Sequence, residues 1–161
     1  MTVTGSSKNT EALRFSITAE FAAPVERVWQ IWADPRQLER WWGPPSWPAT
    51  FEAFDFQPGG RASYFMTGPD GTKARGWWKF TAIAAPAQLE LDDGFANEKG
   101  EPMADMGTTR MLVTLEDAAK GTVMRVSSQF ESAQQMEKMV AMGMEEGMGQ
   151  AMEQIDAILT Q

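Results

Sequence analysis

Two residue types that are common in active sites are missing from this chain. Its 161 residues include no cysteine and no histidine. Without cysteine there can be no disulfide, no thiolate nucleophile and no thiolate metal site. Without histidine there can be no Ser-His or Cys-His catalysis and no His-ligated metal. The commonest catalytic arrangements are therefore excluded, and we expect no catalytic residue, metal or cofactor.

Positive charge and long apolar runs are also scarce. The chain has 14 Lys and Arg against 22 Asp and Glu, a net charge of −8. Nucleic acids and anionic membranes both bind cationic surfaces, so neither is expected as a partner. No apolar run approaches the ~20 residues that cross a bilayer, and the N-terminus lacks the apolar core of a signal peptide. We expect a cytoplasmic protein that is a monomer or a weak dimer.

The length predicts one domain with a single core. Residues 1–12 are mostly small and polar, which is typical of a disordered tail, and residues 13–161 would form the domain. Apolar and polar residues alternate from Leu13 to Phe21, the period of a strand with one buried face.

Two short helices are predicted after this strand. The first begins at Pro24, which suits a first helical turn, and ends at Ala33. The second has Asp34 as its N-cap and reaches the Gly-Pro-Pro sequence at 43–45. Consecutive helical residues point in different directions, so one of Trp41 and Trp42 should lie at the surface or at a cavity mouth.

The middle of the chain is predicted to be an antiparallel meander. Alternating patterns separated by turn signals such as Asp-Gly indicate six further strands. Residues 93–107 show no period and are expected to form the longest loop. The predicted strands are Phe51–Phe56, Arg61–Thr67, Lys73–Ala84, Leu89–Asp92, Thr108–Glu116 and Thr122–Phe130.

The C-terminal segment Ser132–Leu159 is predicted to be one long helix that begins with a capping box. One face of it is apolar and rich in methionine. Three interior glycines cost roughly 1 kcal/mol each relative to alanine. Two of them, Gly143 and Gly147, border the apolar face, which indicates either close approach of another segment or unfilled space. Methionine is typical both of adaptable binding surfaces and of ordinary cores.

Several segments together resemble a known family. They are FAAPVERVWQIWADPRQLERWWGP at 21–44, DFQPGGR at 55–61, GPDGT at 68–72 and Gly-Trp-Trp at 76–78. Over residues 15–159 the chain resembles the START-like, helix-grip superfamily, in particular the branch similar to the C-terminal domain of the activator of heat-shock protein 90 ATPase. The resemblance implies an α+β fold, with a curved seven-stranded antiparallel sheet wrapped around a long C-terminal helix and two short helices after the first strand.

The superfamily resemblance also implies a cavity between sheet and helix. Relatives often have tryptophan at the position of Met148, so methionine there could enlarge the cavity. We expect non-catalytic binding of an apolar or aromatic small molecule. The alternatives are regulation of a chaperone ATPase through protein contacts and an enzyme similar to polyketide cyclases or aromatases. The residues expected to line the cavity, or else to fill a solid core, are Trp42, Phe65, Trp78, Phe80, Met111, Met124, Met144 and Met148.

A group of acidic residues lies in and beside the predicted long loop. It lacks the alternating ligand spacing of a calcium-binding loop, so we expect solvated charge rather than a cation site. The acidic residues concerned are Asp92, Asp93, Glu98, Glu101 and Asp105.

Overall fold

The structure, a computed structural model, describes residues 3–160 and contains one antiparallel sheet of eight strands. The strand order is β1-β2-β8-β7-β6-β5-β4-β3, so the second strand of the chain lies beside the last. The strands are β1 Val3–Asn9, β2 Arg14–Phe21, β3 Ala49–Phe54, β4 Arg61–Thr67, β5 Lys73–Ala84, β6 Gln88–Ala96, β7 Thr108–Ala118 and β8 Gly121–Gln129.

Five α-helices accompany the sheet. Two follow β2, and three follow β8. The helices are α1 Val25–Ala33, α2 Pro35–Leu38, α3 Ala133–Ala141, α4 Met144–Met152 and α5 Ile155–Leu159, with a short 3-10 helix at Ala104–Met106. Between residues 3 and 160 no helix is long and apolar enough to cross a membrane. The predicted α+β class and the antiparallel sheet are confirmed.

The sheet has eight strands and not the predicted seven, because part of the expected disordered tail is a strand. β1 pairs antiparallel with β2, with Lys8 opposite Phe15. Its side chains also contact α4: Ser6 Oγ donates to Glu145 Oε1 at 3.1 Å, and Lys8 Nζ lies 3.3 Å from Glu145 Oε2. Its side chains are almost all exposed, so its sequence carries no apolar pattern. The pairing partner and the contacts with α4 order this segment; residues 1 and 2 lie outside the described residues.

The predicted long loop begins later than expected, because β6 continues to Ala96. Asp93 is still paired, opposite Trp78 on β5 and opposite Thr109 on β7. Strand pairing on both sides therefore extends β6 through an Asp-Asp-Gly sequence that by itself disfavours a strand.

The prediction of a single C-terminal helix is wrong, because the segment forms the three helices α3, α4 and α5. The first break is at Gly143, whose φ of 84° lies in the left-handed region, which glycine adopts at little cost. The second break separates α4 from α5 at residues 153 and 154. There Gln154 Nε2 donates to the carbonyl of Gly43 at 2.7 Å, which ties the C-terminal helices to the loop after α2. The predicted cap is present, with Ser132 Oγ accepting from the Gln135 N–H at 3.1 Å.

The core contains a cluster of tryptophans between the sheet and α1. Trp32 and Trp41 are fully buried, with ring centroids 4.8 Å apart in an edge-to-face contact. Trp42 is buried as well and is 4.8 Å from Trp78. One of Trp41 and Trp42 was expected at the surface or at a cavity mouth; both are buried, so the surface alternative is wrong. The reason is that each ring has its own neighbour: Trp41 Nε1 donates to the carbonyl of Ile31 on α1 at 3.0 Å, and the ring of Trp42 packs against Trp78 on β5.

Candidate functional site

The residues expected to line a cavity do not lie together. Met144 and Met148 are half-buried and pack against the core from α4. Phe65 alternates along β4 with the buried Tyr64, so its ring lies on the opposite face of the sheet, with Lys73 Nζ 4.4 Å from the ring centroid. The other five are buried in the core: Trp42, Trp78, Phe80, Met111 and Met124.

The interior against the inner face of the sheet is filled where these five residues lie. Trp78 and Phe80 make an edge-to-face contact with centroids 6.1 Å apart. Met124 Sδ accepts from Trp32 Nε1 at 3.4 Å. Such contacts favour the solid-core interpretation for this part of the interior.

A polar pair lies on the inner face of the sheet beside that core. The Tyr64 hydroxyl on β4 donates to Asp93 Oδ1 on β6 at 3.1 Å, across the intervening strand β5. Gly76 on β5 makes this possible, because a Cβ at that position would lie 2.4 Å from the phenol ring of Tyr64. Glycine at 76 therefore lets the phenol lie flat over β5 and reach Asp93.

Asp93 sits in an environment that disfavours its charge. Its side chain is half-buried, and among residues 3–160 no Lys or Arg forms an ion pair with it. Burial raises the pKa of Asp93 to about 7, against the opposing effects of Tyr64, Trp78 and the Gly94 backbone N–H. Near neutral pH the carboxyl can therefore either donate or accept a proton.

The same burial acts on the phenol. Desolvation, followed by the nearby charge of Asp93, raises the pKa of Tyr64 well above its ordinary value. Tyr64 therefore remains a neutral hydrogen-bond donor at any physiological pH.

Two indole N–H groups adjoin the pair. Within the described part of the chain, Trp42 Nε1 and Trp78 Nε1 are the buried side-chain nitrogen or oxygen atoms that have no hydrogen-bond partner. Their ring centroids lie 6.2 and 5.9 Å from that of Tyr64. Buried donors are nearly always paired in proteins. Although neither N–H makes a hydrogen bond, both indoles act to lower the pKa of Tyr64 and Trp78 also acts to lower that of Asp93, so they are donors close to the polar pair.

An apolar cleft opens where the start of β5 lies beside the end of β6. Its volume is about 800 Å³. Phe95 lines it and follows Asp93 on the same face of β6, so the polar pair lies ~7 Å along the strand from the cleft. Met142, at the junction of α3 and α4, also lines it and is 58 % exposed. The principal apolar side chains of the cleft are Ala74, Phe95, Met103, Met106 and Met142, and the polar and charged residues that also line it are Thr72, Lys73, Arg75, Asn97 and Glu98.

The glycines near the apolar face of the C-terminal segment were expected to mark either close approach of another segment or unfilled space, and Gly147 on α4 distinguishes the two. A Cβ at Gly147 would meet no atom within 4 Å, so no other segment approaches the backbone there. The space beside α4 is open at Gly147.

Tyr64 and the apolar cleft residues were not predicted from the sequence, and Asp93 was expected to be solvated loop charge. A signal was present: Leu89, Leu91, Asp93 and Phe95 alternate, so an acid stands on an otherwise apolar strand face. Ending the predicted strand at Asp92 concealed it.

The acidic group of the predicted loop is divided by the sheet. Asp92 lies on the outer face, where Arg110 Nε is 3.1 Å from its carboxylate, whereas Asp93 turns inward. The expectation of solvated charge is therefore wrong for Asp93. In the described residues no group of three or more His, Cys, Asp or Glu side chains could hold a metal ion.

An antiparallel sheet that carries C-terminal helices over one face is the helix-grip arrangement of START-like proteins. Within that class, the chain belongs to the family described as activator of Hsp90 ATPase homolog 1-like protein, whose model matches residues 22–160. No curated protein matches the chain.

Solved structures show the same fold. A protein of Arthrobacter aurescens is 62 % identical, with a TM-score of 0.95 over 99 % of this chain and 92 % of that one. A protein of Mycobacterium smegmatis is 46 % identical, with a TM-score of 0.91 over 98 % of this chain and 96 % of the other. A protein of Staphylococcus epidermidis is 25 % identical, with a TM-score of 0.82 over 100 % of this chain and 94 % of that one.

Proposed function

We propose that this protein binds an apolar or aromatic small molecule between the inner face of the sheet and helices α3 and α4. The observation that carries the proposal is the apolar cleft lined by Phe95, Met103, Met106 and Met142. Its volume of about 800 Å³ falls within the ~300–1,000 Å³ that small-molecule sites occupy.

The composition of the cleft also supports a ligand. Three of its five principal apolar side chains are methionines, which are flexible and polarisable and adapt to ligands of different shape. Met142 is the one large hydrophobic residue that is clearly exposed among residues 3–160. Covering an apolar side chain contributes roughly 25 cal/mol per Å², so a ligand that covers Met142 gains free energy from it.

The helices over the cleft are suited to small adjustments. The chain between α3 and α4 turns at Gly143, and α4 has open space beside Gly147. A two-helix cover with a glycine junction can change its angle without breaking a continuous helix, so the volume under it can fit ligands of different size.

Binding can be tested with naphthalene as the probe and with protein labelled with carbon-13 at the methionine methyl groups. We expect the methyl signals of Met103, Met106 and Met142 to move on titration, while those of the core residues Met111 and Met124 stay in place. The variant Met142→Gln keeps the side-chain length and should weaken binding. If no methionine signal moves, or if only core signals move, the proposed site is wrong.

A second candidate is an acid–base enzyme similar to cyclases. It requires a desolvated carboxyl beside the ligand, and Asp93 supplies one. Binding and catalysis differ in whether the bound molecule is recovered unchanged. Native mass spectrometry of protein purified from its source would therefore separate them, through the mass of any molecule that co-purifies and its change on incubation.

The description of the family names activation of the Hsp90 ATPase. Regulation of a chaperone would act through a protein-docking surface, and nothing within residues 3–160 singles out one surface for such a partner. We therefore place ligand binding first. A pull-down of the chaperone with this protein would favour the alternative.

A further inference from the structure

We infer that the carboxyl of Asp93 and the hydroxyl of Tyr64 form a polar anchor that binds a hydroxyl group on an aromatic ligand. This inference rests on the proposed function, since it names the chemistry of the molecule that enters the cleft. The polar anchor is defined as Asp93 and Tyr64 with the neighbouring indole N–H groups of Trp42 and Trp78.

The location of the polar anchor suits the inner end of a bound molecule. Asp93 and Phe95 lie two residues apart on one face of β6, a separation of ~7 Å along the strand. A ring stacked at Phe95 would therefore direct its inner substituent toward Asp93. Asp93 as a residue is half-buried, whereas Tyr64, Trp42 and its strand neighbour Trp78 are buried, so Asp93 is the most accessible member of the polar anchor.

The hydrogen-bond donors and acceptors of the polar anchor determine which polar substituent of a ligand can bind there. Tyr64 already donates to Asp93 Oδ1, and a carboxylate with two oxygens can accept further hydrogen bonds. Trp42 Nε1 and Trp78 Nε1 are unpaired donors. A hydroxyl can donate to the carboxylate and also accept from an indole. An ammonium group cannot accept, and a carboxylate ligand cannot donate and would be repelled by Asp93, so a neutral hydroxyl fits best.

The energetics of Asp93 also indicate a role in binding. A carboxyl held without a cationic partner in a half-buried position destabilises the folded protein when it is ionised. Asparagine would accept the same hydrogen bond from Tyr64 without that cost. Proteins concentrate such perturbed groups at functional sites.

Binding of 2-naphthol and of naphthalene, which differ by one hydroxyl, tests the inference. We expect the wild type to bind 2-naphthol roughly tenfold more tightly, as one hydrogen bond to a charged group predicts. The variant Asp93→Asn should lose most of that preference. Asp92→Asn, which alters the neighbouring carboxylate on the outer face, is the matched control and should keep it.

A measurement on the unaltered protein guards against misfolding of a variant. The carbon-13 signal of the Asp93 side-chain carboxyl should shift with 2-naphthol and not with naphthalene. If both probes bind equally and the carboxyl signal is the same with each, the polar anchor is wrong while the apolar cleft stands. If neither probe binds, the proposed function and this inference are both wrong.

Discussion

Replacing Asp93 with asparagine should stabilise the protein at alkaline pH and not at acidic pH. Asparagine has nearly the same shape and can still accept the hydrogen bond from Tyr64 Oη, which is 3.1 Å from Asp93 Oδ1. The substitution removes the ionisation of the side chain and replaces one carboxylate oxygen by an NH2 group, which cannot accept from Trp78 or from the Gly94 N–H.

The magnitude follows from the two pKa values of the carboxyl. The folded-state pKa is about 7, and the unfolded-state pKa is ~3.9. Between these values the unfolded chain binds fewer protons than the folded one, so the free energy of unfolding falls as pH rises from ~4 to ~7 and is then constant. Three units at ~1.36 kcal/mol each give ~4 kcal/mol as an upper limit. Because Asp93 is only half-buried, we expect roughly 2–4 kcal/mol.

Urea unfolding of both proteins, followed by circular dichroism at several pH values between 4 and 8.5, measures this difference. Near pH 4 the two should have similar free energies of unfolding. By pH 8 the Asp93→Asn variant should be more stable by the amount given above. Other groups that titrate in this range affect both proteins equally and cancel in the difference.

A difference that does not change with pH, or a variant that is less stable at pH 8, would refute the reasoning. The control is Asp92→Asn, which removes the carboxylate that lies 3.1 Å from Arg110 Nε on the outer face. An exposed ion pair contributes roughly 0–1 kcal/mol, so this variant should be equally or slightly less stable than the wild type.

Three other changes test the remaining structure by urea unfolding. Gly147→Ala should stabilise the protein by roughly 0.5–1 kcal/mol, since a Cβ at this position meets no other atom. Gly143→Ala should destabilise the protein, because the φ of Gly143 is 84°. Equal effects of the two substitutions would contradict the helix break at Gly143. Phe80→Ala should cost roughly 3–5 kcal/mol because the ring is fully buried, and Phe65→Ala on the outer face about 1 kcal/mol. Glu145→Gln should lower the free energy of unfolding by under ~1 kcal/mol at low salt, because it removes the ion pair with Lys8 at 3.3 Å. The loss should be smaller at high salt, and a loss that does not depend on salt would argue against the ion pair.

Much of the sheet could be predicted from the sequence. β4 and β5 have the predicted bounds, because their alternating patterns end in strong turn signals. β1 could not be predicted in this way. Its side chains are mostly exposed and polar, and its order depends on backbone pairing with β2 and on contacts with Glu145.

The candidate site was harder to predict than the fold. Of the residues expected in a cavity, Phe80, Met111 and Met124 are apolar side chains in the packed core, because an inward-facing pattern does not reveal whether the space opposite is filled. The polar pair required knowledge of a neighbour two strands away. Tyr64 reaches Asp93 only because the intervening residue on β5 is Gly76.

The sequence by itself determined the α+β class, the family and most strand positions, since these follow from local periodicity, turn residues and characteristic segments. It also singled out the glycines of the C-terminal segment as unusual, although it did not predict the break at Gly143. Only the tertiary structure decided that Asp93 lies inward beside Tyr64 and that its pKa is raised to about 7. The physical reason is that desolvation depends on what packs around a side chain, and those neighbours come from β4, β5 and β6, which the chain brings together only on folding.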